Sequence, residues 1–127
     1  MKRLMIAGIL VAVAVLVFAL GGWGSGDVEA RAAGRLYSVT VTVREPAARP
    51  LTVGIEVAPA SADTVTVSTV MPQMGHATPE ISARRQEAGR FLATGELVTM
   101  NGVWEFAVRV HGAAGEEVVT VPVLVAG

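Results

Sequence analysis

The strongest constraint on the fold of this chain is a strict alternation of apolar and polar residues that recurs from residue 35 onward. In the first such segment, Tyr37, Val39, Val41 and Val43 alternate with serine and threonine. A period of two places every second side chain on the same face of a β-strand. The same alternation marks strands within residues 51–57, 65–71, 104–110 and 119–125.

Proline and glycine divide the alternating segments and set their limits. Residues 72–79 hold two prolines and a glycine, so they are not expected to continue a central strand. Two weaker strands are expected within residues 81–85 and 90–97, and Pro122 favours an edge position for the last strand. About seven short strands with frequent turns predict an all-β fold, an antiparallel β-sandwich over residues 35–127.

The first 22 residues differ from the rest and are expected to form a leader outside the domain. Lys2 and Arg3 precede a run without charged residues over positions 4–20. Such a run is typical of a secretory signal peptide or of an N-terminal hydrophobic helix that anchors the chain in the membrane. Both alternatives remain open, and both predict that the rest of the chain is exported, to the periplasm or another extracytoplasmic space. Residues 23–34 are interpreted as a linker.

Charge and cysteine content exclude several classes of function. Without Lys2 and Arg3, eight basic residues stand against eleven acidic ones, a formal charge of −3, so nucleic acid is not an expected partner. The chain has no cysteine, so it has neither disulfides nor a thiol nucleophile. No serine is accompanied by a recognisable histidine and aspartate pattern, and no phosphate-binding loop is present. An enzyme is therefore not expected.

The clearest functional signal is the hexapeptide of residues 71–76, Met-Pro-Gln-Met-Gly-His. It places the thioethers of Met71 and Met74 and the imidazole of His76 within one loop. Thioether and imidazole ligands suit Cu(I), whereas hard cations prefer oxygen. The hexapeptide therefore predicts a copper site, and Met100, at the end of a strand, is a candidate fourth ligand.

The relation of Met100 to Trp104 depends on the path of the chain between them. If Asn101-Gly102 forms a two-residue hairpin turn, alternation places Met100 and Trp104 on opposite faces. If the segment crosses between the two sheets instead, both side chains can lie at the same end of the sandwich. The sequence leaves both alternatives open.

Each candidate ligand also has a purely structural interpretation. Met71 continues an apolar strand face and can be a core residue, because methionine is a common filler of cores. His76 can hydrogen-bond the loop backbone instead of binding a metal. Trp104 is expected in the core, and His111 is expected to face solvent.

Three short patterns give the chain a resemblance to a known family. They are Met71-Pro72-x-Met74-Gly75-His76, Gly89-Arg90-Phe91 and Met100-x-Gly102-x-Trp104. Together they resemble the YtkA-like domain, which is grouped with the FixH family of small exported proteins. The resemblance covers roughly residues 37–125. It departs from the family at Phe91, where tyrosine is frequent.

The resemblance implies an immunoglobulin-like sandwich behind an N-terminal signal or anchor. It also implies a copper site formed by Met71, Met74, His76 and conditionally Met100, and a copper-transporting or oxidase-assembly membrane protein as partner. The leading hypothesis is thus an exported, membrane-tethered protein that binds and delivers Cu(I). The alternative is a metal-free interaction or assembly module for a membrane complex such as a cytochrome oxidase or a metal transporter.

Overall fold

A computed structural model describes residues 27–46 and 49–126 of the protein, and these residues form an all-β fold. These described residues contain ten β-strands: β1 (Val28–Ala33), β2 (Ser38–Arg44), β3 (Leu51–Ala58), β4 (Ala62–Met71), β5 (His76–Ala77), β6 (Ile81–Ser82), β7 (Arg84–Glu87), β8 (Arg90–Gly95), β9 (Gly102–Gly112) and β10 (Gly115–Val125). Within the described ranges no helix is long and apolar enough to cross a membrane. The leader expected over residues 1–22 lies outside them.

The strands form two antiparallel sheets. The first sheet has the order β1-β2-β3-β8-β7, and the second has the order β10-β9-β4-β5, with β6 also pairing with β4. The predicted antiparallel sandwich is therefore confirmed. β10 lies at an edge of its sheet, as Pro122 indicated, because proline has no backbone N–H to donate to a neighbouring strand.

The core lies between the sheets and consists of the apolar half of each alternating strand. In β2, β3, β9 and β10 every second residue is buried, as the period of two requires. Trp104, Phe106 and Tyr37 are the largest fully buried side chains. Trp104 is thus the core residue that its strand pattern predicted.

The structure differs from the sequence interpretation at residues 28–33, which fall within the linker expected over residues 23–34. Residues 28–33 form β1, which pairs with β2 along its whole length. Ala30 and Ala32 are the buried positions of this strand. The alternation is present, but alanine is a weak strand former and gives little apolar contrast. Pairing with the well-formed β2 explains why this weak segment is nonetheless a strand.

The topology brings several connections to one end of the sandwich, which we call the loop end. The registers place there the start of β1, the β4–β5 turn at residues 72–75, residues 96–101 between β8 and β9, and the end of β10. Residues 96–101 pass from the first sheet to the second. The segment before Trp104 is therefore a crossing between sheets and not a hairpin, which decides between the two alternatives left open by the sequence.

Candidate metal site

The proposed copper ligands lie on a tight hairpin at the loop end. Met71 ends β4, His76 begins β5, and the two residues are directly opposite each other in the antiparallel register. Directly opposed residues project their side chains from the same face of a sheet, with Cβ atoms about 4.5–5.5 Å apart. The register thus brings the Cβ atoms of Met71 and His76 close together.

The turn between these two residues follows from their sequence. The Met74 N–H donates to the Met71 carbonyl at 3.2 Å, and the Gly75 N–H donates to the Pro72 carbonyl at 3.3 Å. Proline suits the second position of such a turn. Gly75 has a φ of 68°, a left-handed conformation that glycine adopts at little cost. Pro72 and Gly75 thus build a four-residue loop, whereas Pro79 lies beyond the short strand β5.

Met71 is both a core residue and the inner wall of the candidate site. Its side chain is only 3% exposed. A methyl group placed on the Cα of Gly102 would lie 2.2 Å from the Met71 Cε and 3.9 Å from its Sδ. The Met71 thioether therefore packs against the backbone of the crossing segment, two residues beyond Met100. Its core role is shown, and its role as a ligand stays a prediction.

Met74 and His76 form the exposed part of the site. Met74 lies in the turn with 56% of its surface exposed, and His76 is also exposed. Both donors are therefore accessible to an ion or a partner that approaches the loop end.

Met100 lies on the crossing segment, partly buried against the core. The indole N–H of Trp104 donates to the Met100 carbonyl at 2.9 Å. This bond satisfies the buried indole nitrogen and fixes the backbone of Met100 near the site. The structure thus brings Met71 beside the Met100–Gly102 segment, while the Met100 side chain packs on the core.

Two threonines that the sequence reasoning missed hold the hairpin to the crossing segment. Thr69 is fully buried, and its hydroxyl donates to the Leu97 carbonyl. The Thr69 N–H donates to the Thr78 Oγ1 at 3.0 Å, and the two hydroxyl oxygens are 2.8 Å apart. The sequence did carry a signal for this contact. Thr69 lies on the apolar strand face of Val65, Val67 and Met71, and a hydroxyl buried on such a face requires hydrogen-bond partners.

Other charged and polar groups lie apart from this site. His111 is exposed as predicted, and its Nδ1 lies 3.6 Å from a carboxylate oxygen of Glu116. Across the described residues, no group of three or more histidine, aspartate or glutamate side chains could hold a metal ion. A cleft of about 430 Å³ lies on the outer face of the first sheet, where residues such as Glu29, Arg44 and Arg90 line it. It contains none of the candidate ligands.

Comparison with known proteins identifies no relative. No protein-family model matches the chain, and neither the curated proteins nor the solved structures include a match. The site is therefore interpreted from its own geometry and chemistry.

Proposed function

We propose that the protein binds Cu(I) at the β4–β5 hairpin and passes it to a partner outside the cytoplasm. The observation that carries this proposal is the direct pairing of Met71 and His76 on one face of the hairpin, with Met74 in the turn between them. This pairing supports a shared site, which would form if the side chains of Met74 and His76 turn toward the Met71 thioether. Such donors are suited to Cu(I), and the thioethers need no deprotonation to bind it.

The difference in burial between the ligands supports a delivery function. Met71 provides a fixed inner donor beside Gly102, whereas Met74 and His76 are open to solvent. A partner could therefore replace the outer donors one at a time while the inner donor still holds the ion. Met100 would join the set through rotation of its flexible side chain, since it lies two residues before Gly102, the glycine that the Met71 side chain approaches.

A competition titration of the full chain against a chromogenic Cu(I) chelator tests the proposal. The wild type should compete for the ion, and the variant Met74→Leu/His76→Asn should lose at least tenfold in affinity. Leucine and asparagine keep the approximate size of the native side chains, so the hairpin should be retained. His111→Asn is the matched control, because it removes an exposed histidine outside the hairpin. Equal competition by the wild type and the loop variant would refute copper binding at this site.

Single variants decide the complete ligand set. Met71→Leu should weaken Cu(I) binding if the inner thioether is a ligand, and should leave it unchanged if Met71 only fills the core. Met100→Leu answers the same question for the conditional ligand. Urea unfolding of each variant separates a lost ligand from a damaged fold.

A second function, that of a metal-free interaction module, is favoured by the exposed apolar residues around the hairpin. Met74, Val70 and Val103 are all more than one-third exposed at the loop end. Methionine is frequent at adaptable binding surfaces. Under this alternative, the hairpin contacts a membrane complex such as an oxidase or a metal transporter, and binding of that complex survives removal of copper by a chelator.

We further infer that the sandwich is of the immunoglobulin type and that the protein is related to the YtkA-like and FixH-like exported proteins. Immunoglobulin sandwiches have the strand orders A-B-E-D and G-F-C. Assigning A to G to β2, β3, β4, β7, β8, β9 and β10 reproduces both orders, with β1 as an additional edge strand. The strand order and the motifs of residues 71–76 and 100–104 support the relationship together. Retention of the leader as a membrane anchor is part of the same proposal.

A further inference from the structure

An exposed apolar patch lies on the outer face of the second sheet, at the loop end. Leu124 and Val103 are cross-strand partners, 46% and 39% exposed, and both alternate with buried residues. Val70 is directed outward from the neighbouring strand β4 and is 37% exposed. Met74 lies in the turn that follows β4 and is 56% exposed. We call these four residues the apolar corner.

The leader joins the domain at this same end. β1 begins at Val28, which pairs with Val43 at the end of β2, and the Glu45 N–H donates to the Asp27 carboxylate at 3.3 Å. β1 also lies against β10, the strand that carries Leu124. The chain therefore enters the fold beside the apolar corner.

The length of the spacer sets how far the domain can stand from a retained leader. Six residues, 21–26, separate the apolar run that ends at Leu20 from Asp27. At about 3.3–3.6 Å per residue, the seven Cα–Cα steps from Leu20 to Asp27 reach at most about 25 Å. β10 alone has eleven residues and spans about 35 Å. A retained leader would therefore hold the loop end close to the bilayer. If the strands lie along the membrane normal, the opposite end of the sandwich cannot be closer to the bilayer than the loop end.

We propose that the apolar corner rests on the lipid bilayer in which the leader is anchored. This inference rests on the tether of the proposed function but not on copper binding. Because the tether keeps the domain next to the bilayer, contact with the bilayer is effectively intramolecular, and a small apolar patch is sufficient for it. Copper would then enter and leave the hairpin at the membrane surface, beside a membrane-embedded partner.

The charges around the corner favour contact through apolar side chains and not through anionic headgroups. Among the described residues, acidic side chains outnumber basic ones at the loop end. The carboxylates are those of Asp27, Glu45, Glu96 and Glu105, and the guanidinium groups are those of Arg44 and Arg49. Glu105 is the neighbour of Val70 in the register. We therefore expect the apolar corner to contact vesicles of the zwitterionic lipid phosphatidylcholine at least as well as vesicles that contain the anionic lipid phosphatidylglycerol.

The absence of cysteine from the chain permits a direct test by site-specific labelling. The full chain carrying Leu124→Cys is labelled with the fluorophore NBD and reconstituted in phosphatidylcholine vesicles with or without nitroxide-labelled lipid. Val118→Cys is the matched control, because Val118 lies on the same strand and face, is 37% exposed, and is about 20 Å from residue 124. Val103→Cys provides a second reporter in the corner, should the Leu124 variant fold poorly.

The labels at residues 124 and 103 should be quenched by nitroxide lipid at least twofold more than the label at residue 118. Equal quenching at all three positions would overturn the proposal. The label at residue 124 could instead escape quenching by nitroxide lipid and become less accessible to solvent as the protein concentration rises. That result would also overturn the proposal, because it would show that a second copy or another protein covers the corner. Failure of the full chain to float with vesicles would overturn the tether as well. The chelator titration is independent of all these results.

Discussion

At the scale of single residues, the candidate site depends on a few side chains that the core also requires. Met71 fills the end of the core and packs against Gly102, where a side chain has no room. Gly102 also has a φ of 144°, a conformation that residues with a Cβ rarely adopt. The glycine thus permits both the path of the crossing segment and the position of the inner thioether.

The change Gly102→Ala should therefore lower the free energy of unfolding by about 2 kcal/mol or more, since it combines backbone strain with overpacking. Urea unfolding provides the measurement. The loss should be smaller in a Met71→Ala background, because the steric part of the cost disappears with the thioether.

Gly54→Ala is the control for this prediction. A Cβ at Gly54 would find its nearest neighbours at 3.8 Å or beyond, an ordinary contact distance. We expect this change to be neutral or stabilising by up to about 1 kcal/mol. Similar losses at both glycines would contradict the steric explanation.

At the scale of secondary-structure elements, one carboxylate on β10 holds the connection between β1 and β2. Glu117 accepts hydrogen bonds from the N–H groups of Arg35, Leu36 and Tyr37 at 2.7, 3.0 and 3.1 Å. A Cβ on Gly34 would lie only 2.4 Å from the same carboxylate, so a larger residue there would displace the Glu117 side chain. This contact ties the weak strand β1 to the second sheet.

Glu117→Gln should lower the free energy of unfolding by about 1–3 kcal/mol, because one amide oxygen cannot satisfy three backbone donors. Hydrogen exchange should show faster exchange of the β1 amides in particular. Glu116→Gln is the matched control. Its exposed ion pair with Arg109 is expected to contribute at most about 1 kcal/mol. If both variants unfold alike, the carboxylate does not hold the connection.

A second connection, just before β6, is expected to contribute stability that depends on pH. The hydroxyl of Thr66 and the guanidinium of Arg109 donate to the Glu80 carboxylate and hold the pKa of Glu80 below its ordinary value of 4.5. The folded protein therefore binds this proton less readily than the unfolded chain does. The resulting stability is present above pH 4.5 and is lost as the pH falls through the lowered pKa.

In the Glu80→Gln variant, the urea concentration at the midpoint of unfolding should therefore fall less steeply below pH 4.5 than it does in the wild type. Thr66→Val should flatten it in part, because the hydroxyl is the largest cause of the lowered pKa. An acid profile identical to that of the wild type in both variants would contradict the assignment.

At the scale of the whole molecule, the segment between β8 and β9 joins the two sheets and fixes the loop end. Leu97 and Val98 of this segment are fully buried between the sheets, although neither lies in a strand. The Leu97 carbonyl also accepts the hydrogen bond from Thr69. Packing of the crossing segment therefore links the core to the hairpin that carries the candidate ligands.

Leu97→Ala should lower the free energy of unfolding by about 2–5 kcal/mol, since it leaves a cavity between the sheets. Leu124→Ala is the matched control, the same chemical change at an exposed position, and should stay within about 0.5 kcal/mol. Thermal unfolding followed by circular dichroism is sufficient to compare them. Equal losses would show that the crossing segment does not contribute to the core.

The sequence alone determined the elements that depend on a local pattern. The alternation of Val39, Val41 and Val43 predicted β2, and its recurrence predicted two packed sheets, because a period of two leaves each strand with one face to bury. Proline and glycine predicted an interruption of the strands over residues 72–79, within which the structure has the turn at residues 72–75 and the short strand β5. Only the tertiary structure decided which segments meet. The pairing of β1, the crossing before Trp104 and the packing of Met71 on Gly102 all join residues that are distant in sequence, and no local pattern specifies such contacts. For the same reason, the loop sequence gave the candidate ligands, but the strand register placed Met71 opposite His76.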